Sequence, residues 1–471
     1  MRTVDKLYIN GEFVTPHGTE LFDLINPTTN QLIGRLTLGD EEDTRMAIAA
    51  AKATFKSFSK TVPAQRIEYL RRMYEAVMKR KEDLINIMIE EYGGTRRFAT
   101  GSFGNLTNTI LSMIAILDEF SFTRTVGVSQ VRLEPIGVVG IITPWNASNS
   151  FVVGKLATAI AAGCTAVIKP GEMSGLQTQL LLECLHEAGL PAGVFNIVNG
   201  LGAVVGAEIT RHPDIAKISF TGSTVVGKTI ARGAVDTMKR VTLELGGKSP
   251  NIILDDADFS KAIPMALNAA FLNSGQACVA GTRLLVPQHR LDEVKALITE
   301  AVEQVKVGDP QHEDTTLGPI VSKKQYDRVQ QYIRLGIDEG AELLAGGEGH
   351  PAGLEAGNFV KPTVFANVTQ QMRIAQEEIF GPVLSIITYK DEADAIAIAN
   401  DTTYGLQAYI SSSDIDRANR VAAQIEAGRV LINGIHHDPL APFGGFKQSG
   451  IGREYGVYGL EAYLEPKAII A

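Results

Sequence analysis

Three cysteines, Cys164, Cys184 and Cys278, supply the thiols of this 471-residue chain. Cys164 in "AAGCTAVI" and Cys184 in "LLECLH" lie in runs that read as core, where a thiol behaves as a small apolar residue. Cys278 lies in "NSGQACVAGTR", Asn273 to Arg283, among glycines and small residues with Gln276 just ahead. That run suits a nucleophile and equally suits a small buried side chain. An odd cysteine count spread over a long chain is no disulfide framework, and it fits a reducing, cytoplasmic setting.

Other groups could complete a reaction centre. Asn146 in "TPWN" offers a side-chain amide that could hold an oxyanion, or simply an Asx turn. Lys169 and Glu172 in "IKPGE" could grip a diol, or be two solvated loop charges. Gly222 and Ser223 in "FTGSTVVGK" would open a helix whose free N–H groups attract phosphate, or merely cap it. Gly222 to Gly227 lacks the Lys-Ser/Thr of a P-loop and is not G-x-G-x-x-G. Glu244 in "LELGGKSP" sits between leucines, where a carboxylate becomes a stronger base. "EEIFGPV" adds Glu378 and Phe380 at a loop leading into a strand.

The elements that must position these groups alternate. "PIGVVGIITPW", "TAVIKP", "FNIVNG" and "AKISFTGS" read as buried strands. "VGKLATAIAAG", "LQTQLLLECLHEAG" and "TVVGKTIARGA" read as helices between or after them. Val/Ile-rich strands alternating with helices predict a parallel sheet covered on both faces. A second α/β series follows "VTLELGGKSPNIIL", with "TRLLVP", "GPVLSIITY", "ADAIAIAND" and "GRVLING". Helices are expected around "DTRMAIAAAKATFKSF" and, as one stretch, "QRIEYLRRMYEAVMKRKEDLINIMIEEYG". "TRTVGVSQVRLEP" and "LEAYLEPKAII" read as strands of a separate ribbon that would pair with another subunit. The expected fold class is α/β, with two doubly wound parallel-sheet domains and a small β oligomerisation arm. The boundaries are residues 1–116 with 136–245 for a dinucleotide-binding domain, 246–445 for a catalytic domain, and 117–135 with 460–471 for the arm.

Composition bounds the partners. The chain is 45% hydrophobic and 21% charged, and it carries 44 basic against 53 acidic residues for a net charge of −9. With no long basic run, nucleic acid and anionic membrane surfaces are not expected partners. The N-terminus lacks the apolar core of a signal peptide. Pro135 to Gly154 carries no charge over 20 residues, but an interior proline and several polar side chains suit a strand, loop and helix better than a membrane span. No CxxC pair exists and the eight histidines form no ligand set; His436, His437 and Asp438 stand side by side without a further partner, so no metal is expected.

Taken together and in order, "TPWN", "IKPGE", "FTGST", "LELGGKSPNII", "GQACVAGTR", "EEIFGPV" and "PFGGFKQSGIGRE" make the chain resemble the aldehyde dehydrogenase superfamily from end to end. The resemblance implies an NAD(P)-dependent enzyme of the hydrolytic type. Cys278 would attack the aldehyde as thiolate, with Asn146 and the Cys278 N–H holding the oxyanion. Hydride would pass to the nicotinamide, leaving a thioester that water activated by Glu244 releases as the acid. Lys169 and Glu172 would hold the adenosine ribose, and Gly222 and Ser223 would lie by the pyrophosphate. Glu378 would bind the nicotinamide ribose beside Phe380, and Thr143, Pro144 and Trp145 would also touch the cofactor. Lys155 and Glu454 match proton-relay positions. A carboxylate at Glu172 accepts from a 2′-hydroxyl and repels a 2′-phosphate, so NAD is expected over NADP. The expected assembly is a homodimer or homotetramer.

The match thins in the substrate channel. Ala147, Ser148 and Asn149 follow "TPWN" where relatives carry a large aromatic, and Gly154 stands where a bulky residue is common. Phe151 would face the pocket, His436 and His437 its mouth, and Ala277 and Val279 flank Cys278. These residues suggest a roomy, partly polar entrance for a medium-sized aldehyde; ordinary loop variation with broad specificity fits them as well. No arginine stands out in these segments, which speaks against an aldehyde bearing a carboxylate. Two other outcomes of the same thioester chemistry remain: acyl transfer to coenzyme A, against which Glu244 argues, and a cysteine-dependent esterase or hydrolase. A noncatalytic scaffold would be expected to lack Cys278, Asn146 or Glu244.

Overall fold

The computed structural model describes residues 1–470. Four sheets organise them. The first has eight strands in the order Gly450–Ile451, Arg240–Glu244, Ile215–Thr221, Val138–Ile142, Thr165–Lys169, Phe195–Ile197, Leu7–Ile9 and Glu12–Val14. Its five middle strands run parallel, and the strands at both edges pair antiparallel. Val138–Ile142 and Thr165–Lys169 are buried along their whole length, which is why they read as unbroken apolar runs.

The second sheet has seven strands, ordered Glu342–Ala345, Thr363–Ala366, Val383–Tyr389, Arg283–Pro287, Pro250–Ile253, Gln407–Ser411 and Arg429–Ile432. All but the first pair are parallel. A three-stranded antiparallel ribbon joins Thr123–Val126, Ser129–Pro135 and Leu464–Ile469. The α/β class with parallel sheets is therefore as expected.

Several elements differ from expectation. The long helical stretch is two helices, Pro63–Lys79 and Lys81–Tyr92, broken at Arg80 with φ −111° and ψ 24°. "LEAYLEPKAII" is a strand only from Leu464; its first residues finish the helix Gly456–Glu461. The helix Arg96–Glu119 and the small sheet of Arg2–Val4, Leu32–Thr37 and Leu21–Ile25 were not foreseen. The uncharged run Pro135 to Gly154 folds as a buried strand, a loop and the first half of the helix Ser148–Ala162. Among the described residues no helix is long and apolar enough to cross a membrane.

One feature of the first sheet positions the chemistry. Strand order reverses between Val138–Ile142 and Ile215–Thr221, and such a switch point leaves a crevice beyond the carboxyl ends of the strands. The registers Ile142↔Lys169, Phe220↔Ile142 and Thr221↔Glu244 bring those ends level. Thr143, Lys169, Gly222 and Glu244 accordingly crowd one edge of the sheet.

Candidate active site

The loop carrying Cys278 is fixed by unusual backbone. Asn273, Ser274 and Gly275 take successive left-handed conformations, with φ of 54°, 56° and 71°. Gly275 has no alternative, because a Cβ there would lie 2.1 Å from the carbonyl oxygen of Gly381. Such backbone persists only where its surroundings hold it. Gln276, fully buried, does much of that: its Oε1 accepts from the Val321 N–H at 3.0 Å and its Nε2 donates to the Tyr92 hydroxyl at 3.2 Å. Tyr92 in turn donates to Asn273 Oδ1 at 2.9 Å.

Cys278 emerges from this loop as a free, half-buried thiol, while Cys164 and Cys184 are fully buried in the core. Desolvation pushes the Cys278 thiol up to about 12, and the Glu378 and Glu244 charges add to the shift. In the ligand-free protein the sulfur is therefore protonated at neutral pH.

Asn146, buried at the end of the loop after Val138–Ile142, donates from Nδ2 to the Gln276 carbonyl at 2.9 Å. Its own carbonyl accepts from Asn273 Nδ2 at 3.1 Å. These two bonds tie the "TPWN" loop directly to the cysteine loop. One N–H of the Asn146 amide remains for another acceptor.

Glu244 closes its strand and is buried, with neither carboxylate oxygen hydrogen-bonded. Burial raises its pKa well above the ordinary range, and Glu454 raises it further against the opposing charges of Lys155 and Arg453. Its main-chain carbonyl accepts from the Gly222 N–H at 3.0 Å. The following glycines run close under the cysteine: a Cβ on Gly247 would meet the Cys278 carbonyl oxygen at 2.3 Å. Glu378 Oε1 accepts from the Gly247 N–H at 3.1 Å, and burial pushes its carboxyl up to about 7.

Lys155 and Glu454 form a close ion pair in which both side chains are largely buried. Ser219 bridges them, accepting from Lys155 Nζ at 3.1 Å and donating to Glu454 Oε1 at 3.2 Å. Neither is bonded to Cys278.

The remaining candidates are spread along the crevice. Lys169 Nζ donates to Glu172 Oε2 at 2.7 Å. Burial opposes ionisation of Glu172, but the Lys169 charge and hydrogen bond outweigh it and hold the carboxyl below its ordinary value. The Thr143 N–H donates to the Lys169 carbonyl at 3.0 Å, while the Thr143 hydroxyl is buried without a partner. Pro144 and Trp145 pack on Gly171, where a Cβ would stand 3.2 Å from the Pro144 carbonyl carbon. Trp145 meets Phe380 edge to face, centroids 5.5 Å apart, with Phe380 held at φ 64°. Ser223 is exposed and caps its own helix, Thr224–Val235.

Some residues at the site carried no signal in the sequence. Tyr409 donates to the Val279 carbonyl at 2.8 Å, directly behind Cys278. Tyr455 packs edge-on against both His437 and Phe443. Arg429 opens the last strand of the second sheet, paired in register with Gln407, and lies against the same cluster. Arg429 comes from a strand outside the channel segments, and its guanidinium also lies 3.3 Å from His437 Nδ1. Lys248, buried with Nζ unpartnered, is pushed down to about 7 by burial and by Arg283.

Among the described residues no group of three or more His, Cys, Asp or Glu side chains could hold a metal ion. Comparison with known proteins yields close matches. A curated relative, 3-succinoylsemialdehyde-pyridine dehydrogenase of a Pseudomonas species, is 45% identical over the whole chain and 99% of that protein. A solved cysteine-to-alanine variant of aldehyde dehydrogenase C from Pseudomonas syringae, in complex with NAD+ and octanal, superposes with a TM-score of 0.98 at 46% identity, covering 99% of this chain and 96% of that one. Betaine aldehyde dehydrogenase from Staphylococcus aureus in complex with NAD+ gives 0.96 at 36% identity, covering 99% and 94%. The family model described as "Aldehyde dehydrogenase family" matches residues 13–469, so a chain that ties a free thiol, an amide and a buried carboxylate to one sheet edge belongs to the aldehyde dehydrogenase family.

Proposed function

We propose that the protein oxidises an aldehyde to its carboxylic acid with NAD, through a thiohemiacetal and then a thioester on Cys278. The observation that carries this reading is the free thiol of Cys278 on a loop bonded to the Asn146 amide, beside the unpartnered carboxylate of Glu244. Cys278 gives its proton to the Glu244 carboxylate, which passes it on to the Lys155, Ser219 and Glu454 group, and the sulfur bonds to the aldehyde carbon as the carbonyl π pair moves onto oxygen. The resulting oxyanion accepts from the free N–H of Asn146 and from the Cys278 main-chain N–H. When bound, NAD supplies the hydride acceptor, which no side chain can. Glu244 then takes a proton from the water that attacks the thioester, and the acid leaves as Cys278 recovers its thiolate. Lys155, Ser219 and Glu454 lead that proton away from Glu244.

The crevice suits the dinucleotide. The buried hydroxyls of Thr143 and Thr221 are unpartnered, and Lys169 and Glu172 match the hydroxyls of a ribose. The helix opened by Gly222 and Ser223 presents free N–H groups to phosphate, with Glu378, Phe380, Pro144 and Trp145 at the nicotinamide end. Glu172, ionised beside Lys169, disfavours a 2′-phosphate and so favours NAD over NADP. NAD+ in the structures of two relatives supports the same choice.

The substrate is a medium-sized aldehyde. The space beside Gly154 supports this, since a Cβ there would meet only Thr109, at 3.6 Å. The names of the relatives, with octanal and a pyridine semialdehyde, agree. We assign residues 1–116 and 136–245 to cofactor binding, 246–445 to catalysis, and 117–135 with 460–471 to an oligomerisation arm in a cytoplasmic homodimer or homotetramer. Exposed Val126, Val128 and Ile470 on that ribbon support the arm. An aldehyde panel followed by NADH absorbance with each cofactor tests the reading. Acyl-coenzyme A formed on adding coenzyme A, or ester cleavage without NADH formation, would replace it.

A further inference from the structure

Arg429 lies near the reaction cluster without an ion-pair partner among the described residues. Its guanidinium sits over the Phe443 ring, 5.4 Å from the centroid, and 3.3 Å from His437 Nδ1. Guanidinium has no acceptor, so His437 Nδ1 must be the acceptor and its imidazole neutral. Among the described residues Arg429 forms no ion pair; the charge of Asp438 acts on it only through space, and the Asp438 carboxylate accepts from the Leu440 N–H at 2.9 Å.

The cluster is continuous with the chemistry. His437 and Phe443 both pack on Tyr455, which follows Glu454 in the chain. Phe443 and Glu454 exchange main-chain hydrogen bonds at 2.8 and 2.7 Å. The strand paired with Arg429 carries Tyr409, which is bonded to the residue after Cys278. A half-buried guanidinium with open donors fits the planar, bidentate geometry of a carboxylate, and an aromatic face on one side leaves it the other for binding.

We propose that Arg429 is a specificity-determining residue that holds a carboxylate at the end of the substrate remote from its aldehyde, so that the preferred substrate is an ω-carboxy aldehyde. This rests on Cys278 as the nucleophile. Phe443 and Tyr455 then form the apolar wall along which the connecting methylenes lie.

The test compares 4-oxobutanoate, 5-oxopentanoate and 6-oxohexanoate with butanal, pentanal and hexanal in the wild-type enzyme with NAD. The carboxylate-bearing member is expected to have the higher kcat/KM in at least one matched pair. Arg429→Met is expected to lower that ratio by roughly 10- to 100-fold, the worth of a hydrogen bond to a charged group, with Arg429→Lys in between. Alkanals preferred at every length, or a ratio unchanged in Arg429→Met, would overturn the proposal while leaving the enzymatic reading intact. Absence of NADH formation from all six aldehydes would overturn both. In the wild-type protein, where folding is not at issue, pentanoate or hexanoate should slow iodoacetamide alkylation of Cys278 more than the uncharged pentanamide or hexanamide; equal protection by acid and amide would count against Arg429.

Discussion

The side-chain amide of Asn146 and the main-chain carbonyl of Gln276 are hydrogen-bonded at 2.9 Å, across the seam between the two large sheets. The bond orients the amide with one N–H locked and the other free, next to the residue pair that leads into Cys278. Asn146→Ala should therefore lower kcat by roughly 10²–10³, the usual cost of one oxyanion donor. A loss under about threefold, far below that cost, would assign Asn146 to fastening the loop alone.

Cys278→Ala should abolish aldehyde oxidation and leave NAD binding, read by fluorescence titration, largely intact. The pH dependence of the thiol is a separate check. Its folded value is raised to about 12, so thiolate forms only as pH climbs towards that value. Alkylation of the ligand-free protein should be slow at neutral pH and still rising in alkaline buffer. Glu244→Gln removes one of the charges that raise the thiol, and the alkylation curve should move to lower pH.

Glu244 is an acid with a raised folded pKa, so it becomes an available base only as pH rises through that value. Turnover limited by hydrolysis should fall on the acid side. Glu454→Gln removes a negative charge that raises Glu244, and the falling limb should move to lower pH. Lys155→Met removes a positive charge that lowers it, and the limb should move the other way. Limbs that stay in place in both variants would detach this pair from Glu244.

Much of this site was legible in the sequence because of where its residues fall. Strands such as Val138–Ile142 and Thr165–Lys169 are buried on both faces and read as apolar runs; Lys169 closes the second of them, and Asn146 and Glu172 are polar residues a few positions past the two ends. Arg429 was not legible. It begins a strand far along the chain from Cys278, and only the pairing of Arg429 with Gln407 brings it to the cluster. The break at Arg80 was hidden for a different reason: the apolar periodicity continues through a single residue that leaves helical geometry. Tyr455 needed the Phe443–Glu454 bridge, a contact no local pattern announces.

Lys248 offers a prediction about stability. Its ammonium is buried without a partner and held down to about 7, below the value near 10.4 of an unfolded lysine. The unfolded chain thus holds more protons between those values, and stability contributed by this residue rises with pH across that window. Lys248→Met should remove the rise, a difference on the order of 1 kcal/mol or more, measured by urea unfolding at the two ends of the window. An identical pH dependence in wild type and variant would show the ammonium to be satisfied in solution.

The covalent intermediate is the most direct test of the account. Glu244→Gln should form the thioester and fail to hydrolyse it, so acid quenching during turnover, followed by peptide mass spectrometry, should find the acyl group of the aldehyde on the peptide holding Cys278. An unmodified Cys278 after NADH has formed, or an acyl group on another side chain, would contradict it.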